Sequence, residues 1–509
     1  MGLLVSPVRA SDRPSFIVLT ASACGWEEAT NWKEGGDREA LVRLRREGAS
    51  LRRFHGNPVA APGHAELLTG RNFLRNGVSG DDAGEQMIHD LEVTLAEVCR
   101  VAGYETGFFG WWRHGCNVPQ HPLAQGFASF TGRCRAQWTE DDAPWIQHGL
   151  TPEALEEDCW REISEAACRL VERSADRPFL CWVSAPPGKI GLDALNRVAG
   201  DLQACLKKEK RSGQTLTIFV ADRPHSTAEG NLFGGPGSLS EGGVRIPGFW
   251  HWPGVIEPGL TIHEIAQNVD LFVTVAALAG ADIPGDRLID GMNLSPLLRN
   301  ERPDHWPNRD IGNVVISQRN RATARLAFRT TNWLAVRDPG CRRNPRLAPG
   351  ETWELFDLQA DPLQQYEVGE VYPFVLARLK SDFGRWYLDA AQFDLKPVPL
   401  ALGRPDVEET RMLPEFAEKA GNGEFRWPLQ TPATVEVEVE WMASETPWDP
   451  RWKLRIGGVD LAVAPVKVGE RRWSLGSVSL LCGRVEAVLG GVPGDFAEKG
   501  ELVFRILRP

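Results

Sequence analysis

Pro58-Val59-Ala60-Ala61-Pro62-Gly63-His64-Ala65-Glu66-Leu67-Leu68-Thr69-Gly70-Arg71 is the stretch that decides the fold of this 509-residue chain. Pro62 followed by Leu67 and Leu68 reads as a helix with proline in its first turn, where the missing N–H has no partner to lose. Gly70 reads as a backbone necessity in a tight turn. Such a helix start leaves backbone N–H groups free near Gly63 to Ala65, which suits an anion. Ala60, just ahead, has no heteroatom and cannot act as a covalent nucleophile.

Outward from that helix, strands and helices alternate. Residues 15–20 form a short apolar, β-branched run that ends at Gly25, as a buried first strand does. Residues 37–47 carry leucines at helical spacing. The pattern predicts a helix over 151–174, a strand over 178–184, a helix over 193–208, a strand over 215–220 and an apolar helix over 269–279. This alternation predicts an α/β fold with a mostly parallel central sheet over residues 12–305. From 306 to 395 a short strand series and a closing helix over 372–391 predict a small α+β subdomain. Residues 396–430 are rich in Pro, Gly and charge and read as a linker. Closely spaced strand signals over 431–509 predict a separate β-sandwich.

Length implies two or three domains. A hydrophobic fraction of 42% and a charged fraction of 25% are those of a soluble globular protein. The net charge of -11 argues against a nucleic-acid partner. The basic runs at 43–53 and 207–211 read as solvated helix faces. No stretch is long and apolar enough to span a bilayer. The ten cysteines form no C-x-x-C pair and demand no oxidising compartment. Cys24 reads as a buried, inert thiol. Nineteen tryptophans against four tyrosines offer material for sugar-stacking platforms as well as for core. The opening residues Met1 to Arg9 lack a basic start and a full apolar region, so no signal peptide is read there. They do match the myristoylation pattern M-G-x-x-x-S.

The Ala60 segment resembles the type I sulfatase signature C-x-P-S-R-A-x-L-L-T-G-R, and the likeness continues in order over roughly residues 12–391. Arg13 to Trp26 is similar to the first strand and L-A-D-D-x-G-W loop of that family. Ala102 to Gly115 is similar to A-G-Y-x-T-x-x-x-G-K-W-H-x-G, and Thr217 to Arg223 to I-F-T-S-D-N. Gly234 to Pro247 is similar to G-G-K-G-x-x-x-E-G-G-x-R-V-P, and residues 355–362 to the closing E-L-Y-D-L…D-P. The resemblance implies the alkaline phosphatase-like sulfatase fold. Sulfatases are commonly exported, so the opening residues imply a cytoplasmic chain or a start site other than Met1.

The resemblance also implies a formylglycine nucleophile and a calcium ion, and here the chain departs from it. The nucleophile position is Ala60 and the signature arginine position is His64. The two active-site lysine positions are Trp111 and Pro236, and the two histidine positions are Arg113 and Pro187. The metal-ligand positions are Ser22, Ala23, Asp222 and Arg223, of which only Asp222 keeps a carboxylate. Calcium takes about six to eight oxygen ligands, so neither calcium nor formylglycine is expected. The expectation is a non-catalytic homologue that binds a glycan or protein partner. Its residual pocket would comprise Ala60, Gly63, His64, Arg113, Asp222 and Arg223. Arg223 is expected to take part of the metal space and pair with Asp222, since an unpaired buried carboxylate is costly. The first alternative is a hydrolase of altered chemistry using Asp222, His64 and Arg113. The second is carbohydrate binding by the sandwich through Trp441, Trp448, Trp452 or Trp473.

Overall fold

The computed structural model describes residues 13–81, 85–135, 145–154, 159–174, 177–225, 231–301, 306–317, 320–343, 352–391, 398–402, 407, 409–419, 423–443, 448–449, 451–461, 466–468, 472–490, 492 and 500–507. The myristoylation pattern and the boundaries at 12, 305 and 395–396 lie outside these residues.

The central sheet has ten strands: β1 (Ser15–Ala21), β2 (Ala49–His55), β3 (Glu105–Trp112), β4 (Ser129–Cys134), β5 (Trp145–His148), β6 (Thr151–Ala154), β7 (Phe179–Ala185), β8 (Thr215–Ala221), β9 (Gly248–His251) and β10 (Leu260–Gln267). Their order is β10-β2-β9-β8-β1-β7-β3-β4-β5-β6. The middle run from β8 through β1, β7 and β3 to β4 is parallel, as the alternation predicts. β1, β7 and β8 are buried along their whole length. That is why they read as near-continuous apolar runs, broken only by Ser and Thr, instead of alternating ones.

The helix predicted over 151–174 is shorter than expected. Thr151–Ala154 pairs antiparallel with β5 as the exposed edge strand, and the helix itself is Cys159–Arg173. An edge strand tolerates Pro152, whose missing N–H weighs against a helix interior as well.

Beyond the sheet, Ile311–Ser317, Asn320–Arg329, Trp333–Arg337 and Glu354–Asp357 form an antiparallel four-stranded sheet. The helix Pro373–Ala390 packs on it through Leu379 and Phe383.

The C-terminal part is a sandwich of two sheets. Its first strands lie where composition predicts a linker. Leu400–Ala401, Glu409–Met412, Glu418–Lys419 and Phe425–Thr431 all join its sheets. The period-two burial of Phe425, Trp427, Leu429 and Thr431 supplies the reason, and Pro and Gly frequency masks it. The sandwich docks on the main domain beside the end of β3. Asn117 and Arg411 exchange two hydrogen bonds of 2.6 and 2.8 Å, and Met87 joins the sandwich core.

That core also corrects the sugar-platform expectation. Trp441, Trp448 and Trp452 are buried edge-to-face against one another with centroids 5.4 to 5.9 Å apart. Trp473 is half-buried and packs on the same core. Three of the four indoles therefore serve packing.

Candidate active site

Three strand ends and one helix start converge at one edge of the central sheet. β1 leads into Ser22 and Ala23, and β8 into Asp222 and Arg223. β3 ends in Trp111 and Trp112 and passes into Arg113 and His114. Against them stands the helix Ala60–Thr69. It comes close because residue 63 is glycine: a Cβ there would lie 2.0 Å from the Asp222 carbonyl oxygen.

The helix begins at Ala60, two residues ahead of Pro62, with Val59 as its extended N-cap. The Gly63 N–H donates to the Val59 carbonyl at 3.1 Å. The first-turn donors are therefore those of Ala60 and Ala61, earlier than the 63–65 stretch that proline placement suggests. Both donate to a single carboxylate, that of Asp81, at 3.3 and 2.7 Å. An anion at a helix start is favoured by the free N–H groups and by the dipole. Here the chain supplies that anion itself.

Arg113 is the hub of the site. It is 5% exposed, and its guanidinium lies over the Trp111 indole with Cζ 4.1 Å from the ring centroid. Its Nη2 donates to Ser22 Oγ at 2.7 Å and lies 3.4 Å from Asp222 Oδ2. Its Nη1 lies 3.6 Å from Asp81 Oδ1. The ion partner of Asp222 is thus Arg113, not the expected Arg223. Arg113 reaches across from the β3 end to face both carboxylates, whereas Arg223 leaves the chain beside Asp222 and acts on it through charge alone.

Asp222 is buried, and its Oδ1 accepts the Ala23 N–H at 3.1 Å. That bond helps hold Ala23 at φ +64°, a left-handed conformation that costs alanine roughly 1 kcal/mol. Burial pushes the Asp222 carboxyl above the usual carboxylate range, and Arg113 and Arg223 only partly pull it back.

His64 does not enter this site. It is 1% exposed, lies edge-on to Phe108, Trp112 and Trp182, and stacks on His114 at 5.0 Å. His64 Nδ1 is 2.8 Å from His114 Nε2, and His114 Nδ1 is 2.6 Å from the Gln86 carbonyl. The carbonyl requires the proton on His114 Nδ1, so His114 Nε2 accepts from His64 Nδ1–H. Burial pushes the His64 imidazole far below its ordinary value and that of His114 down to about 3. His64 therefore belongs to a neutral, buried histidine pair and not to the residual pocket expected of it.

The remaining family positions offer no donor to the site. Trp111 is buried, and its N–H donates to the Arg135 carbonyl at 2.7 Å. Pro187 caps the helix Gly188–Lys208, and Pro236 is exposed. Cys24 is buried with its thiol pushed well up by burial, as its sequence context predicts for an inert cysteine. Beneath the site, Glu66 accepts from Asn57 Nδ2, Asn268 Nδ2 and the Phe73 N–H, and burial raises its carboxyl to about 7.

The donor set does not fit calcium. Ser22 Oγ and Asp222 Oδ2 face the Arg113 guanidinium, Asp222 Oδ1 is held by a backbone N–H, and Ala23 has no side-chain oxygen. A guanidinium among the ligands repels a divalent ion. Ala60 supplies no nucleophile, so the arrangement can bind and orient charge but cannot form a covalent intermediate at that position.

Sequence reasoning missed Asp81 and His114. Asp81 lies 20 residues beyond Ala61, whose N–H it accepts, in a Gly-Asp turn segment that carries no periodic signal. Elsewhere, a surface cleft of about 690 Å³ is lined by residues including Arg43, Gln203, Thr217 and His251. It also touches Thr215, which opens β8, so it lies toward the far edge of the sheet from Asp222.

Residues 26–186 and 193–281 match the sulfatase family. Residues 238–381 match the C-terminal region of N-sulphoglucosamine sulphohydrolase. Arylsulfatase A of Bos taurus is 29% identical over 472 residues, covering 77% of this chain and 90% of its own. Arylsulfatase G of Canis lupus familiaris is 27% identical over 365 residues, covering 56% and 68%. The solved structure of Ps i-CgsB in complex with k-i-k-neocarrahexaose aligns with TM-score 0.65 at 20% identity, covering 75% of this chain and 95% of its own. That last likeness is one of fold.

Proposed function

The chain belongs to the sulfatase family, and from that premise we propose that it is a non-catalytic member that works by binding a glycan or a protein partner. One observation carries the reading. The groups that would receive an oxyanion and a metal ion in such a scaffold are bonded to one another. Ala60 and Ala61 donate to Asp81, while Arg113 engages Ser22, Asp222 and Asp81. Ala60 adds no nucleophile. Without nucleophile and ion, the largest contributions to sulfate-ester cleavage are missing together.

A glycan is the favoured ligand class. The Ps i-CgsB structure of the same fold is a complex with k-i-k-neocarrahexaose. The hydrolase alternative loses its proton carrier, since His64 is neutral and sealed behind Trp112 and Trp182. Isothermal titration with a sulfated neocarrahexaose and its desulfated counterpart tests the binding reading. The expected outcome is saturable heat with at least one of them and recovery of the intact sugar. Desulfation of the recovered oligosaccharide would refute the non-catalytic assignment, and silence with both sugars would refute the glycan.

A further inference from the structure

We propose that the Arg113 guanidinium takes the place of a metal ion, so that a side chain, fixed in the fold, holds Ser22, Asp222 and Asp81 together and makes the site calcium-independent. The inference rests on the family membership stated above but not on the absence of turnover. Hydrolysis of a sulfate ester would sink the latter and leave this claim standing.

The geometry supports the assignment from three directions. Arg113 is 5% exposed and faces two carboxylates and a hydroxyl from three separate chain segments, at 2.7, 3.4 and 3.6 Å. Those segments are the end of β1, the end of β8 and the turn before residue 82. A fixed cation is what keeps such segments from separating, because Asp222 and Asp81 carry like charges into one small space. The Trp111 ring beneath the guanidinium fixes its plane by cation–π contact and excludes water from that face. Arginine suits the task better than lysine because a planar fork can face several oxygens at once, and it stays charged when desolvated.

Charge bookkeeping points the same way. Two carboxylates and one guanidinium leave the cluster with one net negative charge, and Arg223 acts on Asp222 from nearby. A divalent ion added to this set would meet a guanidinium already seated among its ligands. Removing the guanidinium changes the picture. Asp222, Asp81 and Ser22 would then present a small oxygen cluster beside an indole. Such a cluster, with few carboxylates and much water, holds calcium only weakly, with Kd of about 0.1 to 1 mM.

The test uses the full chain and two probes, calcium chloride and terbium(III). Trp111 lies close enough to the guanidinium position to sensitise the emission of a terbium ion bound there. Wild-type protein is expected to show the same melting temperature in calcium and in chelator, and no saturable terbium emission. Arg113→Ala is expected to melt lower than wild type in chelator, to recover part of the loss in millimolar calcium, and to gain terbium emission that calcium displaces. Arg113→Ala/Asp222→Asn is expected to lose that emission. Arg113→Lys keeps the charge and serves where the truncated variant fails to fold; it is expected to stay silent to terbium. Calcium bound stoichiometrically by wild-type protein would overturn the proposal. So would a folded Arg113→Ala that ignores both ions, or a lysine variant that binds terbium.

Discussion

Truncation of Asp81 should measurably loosen the start of the helix Ala60–Thr69, and the size of the effect follows from the contacts. Asp81→Ala removes the acceptor for the Ala60 and Ala61 N–H groups. Losing such a cap costs about 1 kcal/mol. The charge–dipole attraction adds roughly 0.3 to 1 kcal/mol, toward the lower figure because salt and solvent screen a half-exposed carboxylate. The 3.6 Å pair with Arg113 adds little for the same reason. The sum is about 1 to 2 kcal/mol, read as a fall in the urea midpoint at unchanged slope. Asp81→Asn keeps an acceptor and loses the charge, so it should lose about half as much, and its deficit should shrink with added salt. An Asp81→Ala protein within about 0.5 kcal/mol of wild type would refute the claim that this carboxylate occupies the helix start.

Three further outcomes follow from the same contacts. Glu66 is raised from 4.5 to about 7, so its stabilising contribution is complete below about pH 4.5 and is lost as pH rises through 7. Relative to Glu66→Gln, wild-type protein should therefore lose on the order of 3 kcal/mol between pH 4.5 and 8 in pH-resolved urea unfolding, and a flat difference would contradict this. Gly63→Ala forces a Cβ to 2.0 Å from the Asp222 carbonyl oxygen, a clash with fixed backbone that should cost about 2 kcal/mol or more; melting at the wild-type temperature would show that the helix does not approach β8 so closely. Trp452→Ala should cost about 3 to 5 kcal/mol and produce an early unfolding transition of the sandwich, because the indole fills the space between Trp441 and Trp448. Retention of a single late transition would mean the three rings do not form that core.

Much of the architecture was legible because buried parallel strands announce themselves. Residues 15–20, 178–184 and 215–220 are dominated by large apolar side chains with only Ser and Thr among them, and they form adjacent strands of the central sheet. The first sandwich strands were not legible. Phe425, Trp427 and Leu429 alternate with Arg426, Pro428 and Gln430 inside a segment whose Pro and Gly content argues for a linker, and pairing with Gly483–Gly490 reveals the strand. At the site, the losses were readable residue by residue, since Ala60 and Ala23 have no side-chain heteroatom in any fold. What replaces them was not. The choice between Arg113 and Arg223 as partner of Asp222 depends on where β3 ends relative to β8, which no local pattern encodes. Asp81 is joined to Ala60 only through tertiary structure. His64 read as a helix-start residue of the residual pocket, and its burial follows from Phe108, Trp112 and Trp182 closing over it.

The most direct test of the central claim is a long incubation of purified protein, at stoichiometric concentration, with a fluorogenic aryl sulfate in the presence of calcium. Release of fluorophore at the rate of buffer alone, unchanged in Asp222→Asn, is the predicted result. Release above buffer that disappears in Asp222→Asn would contradict it.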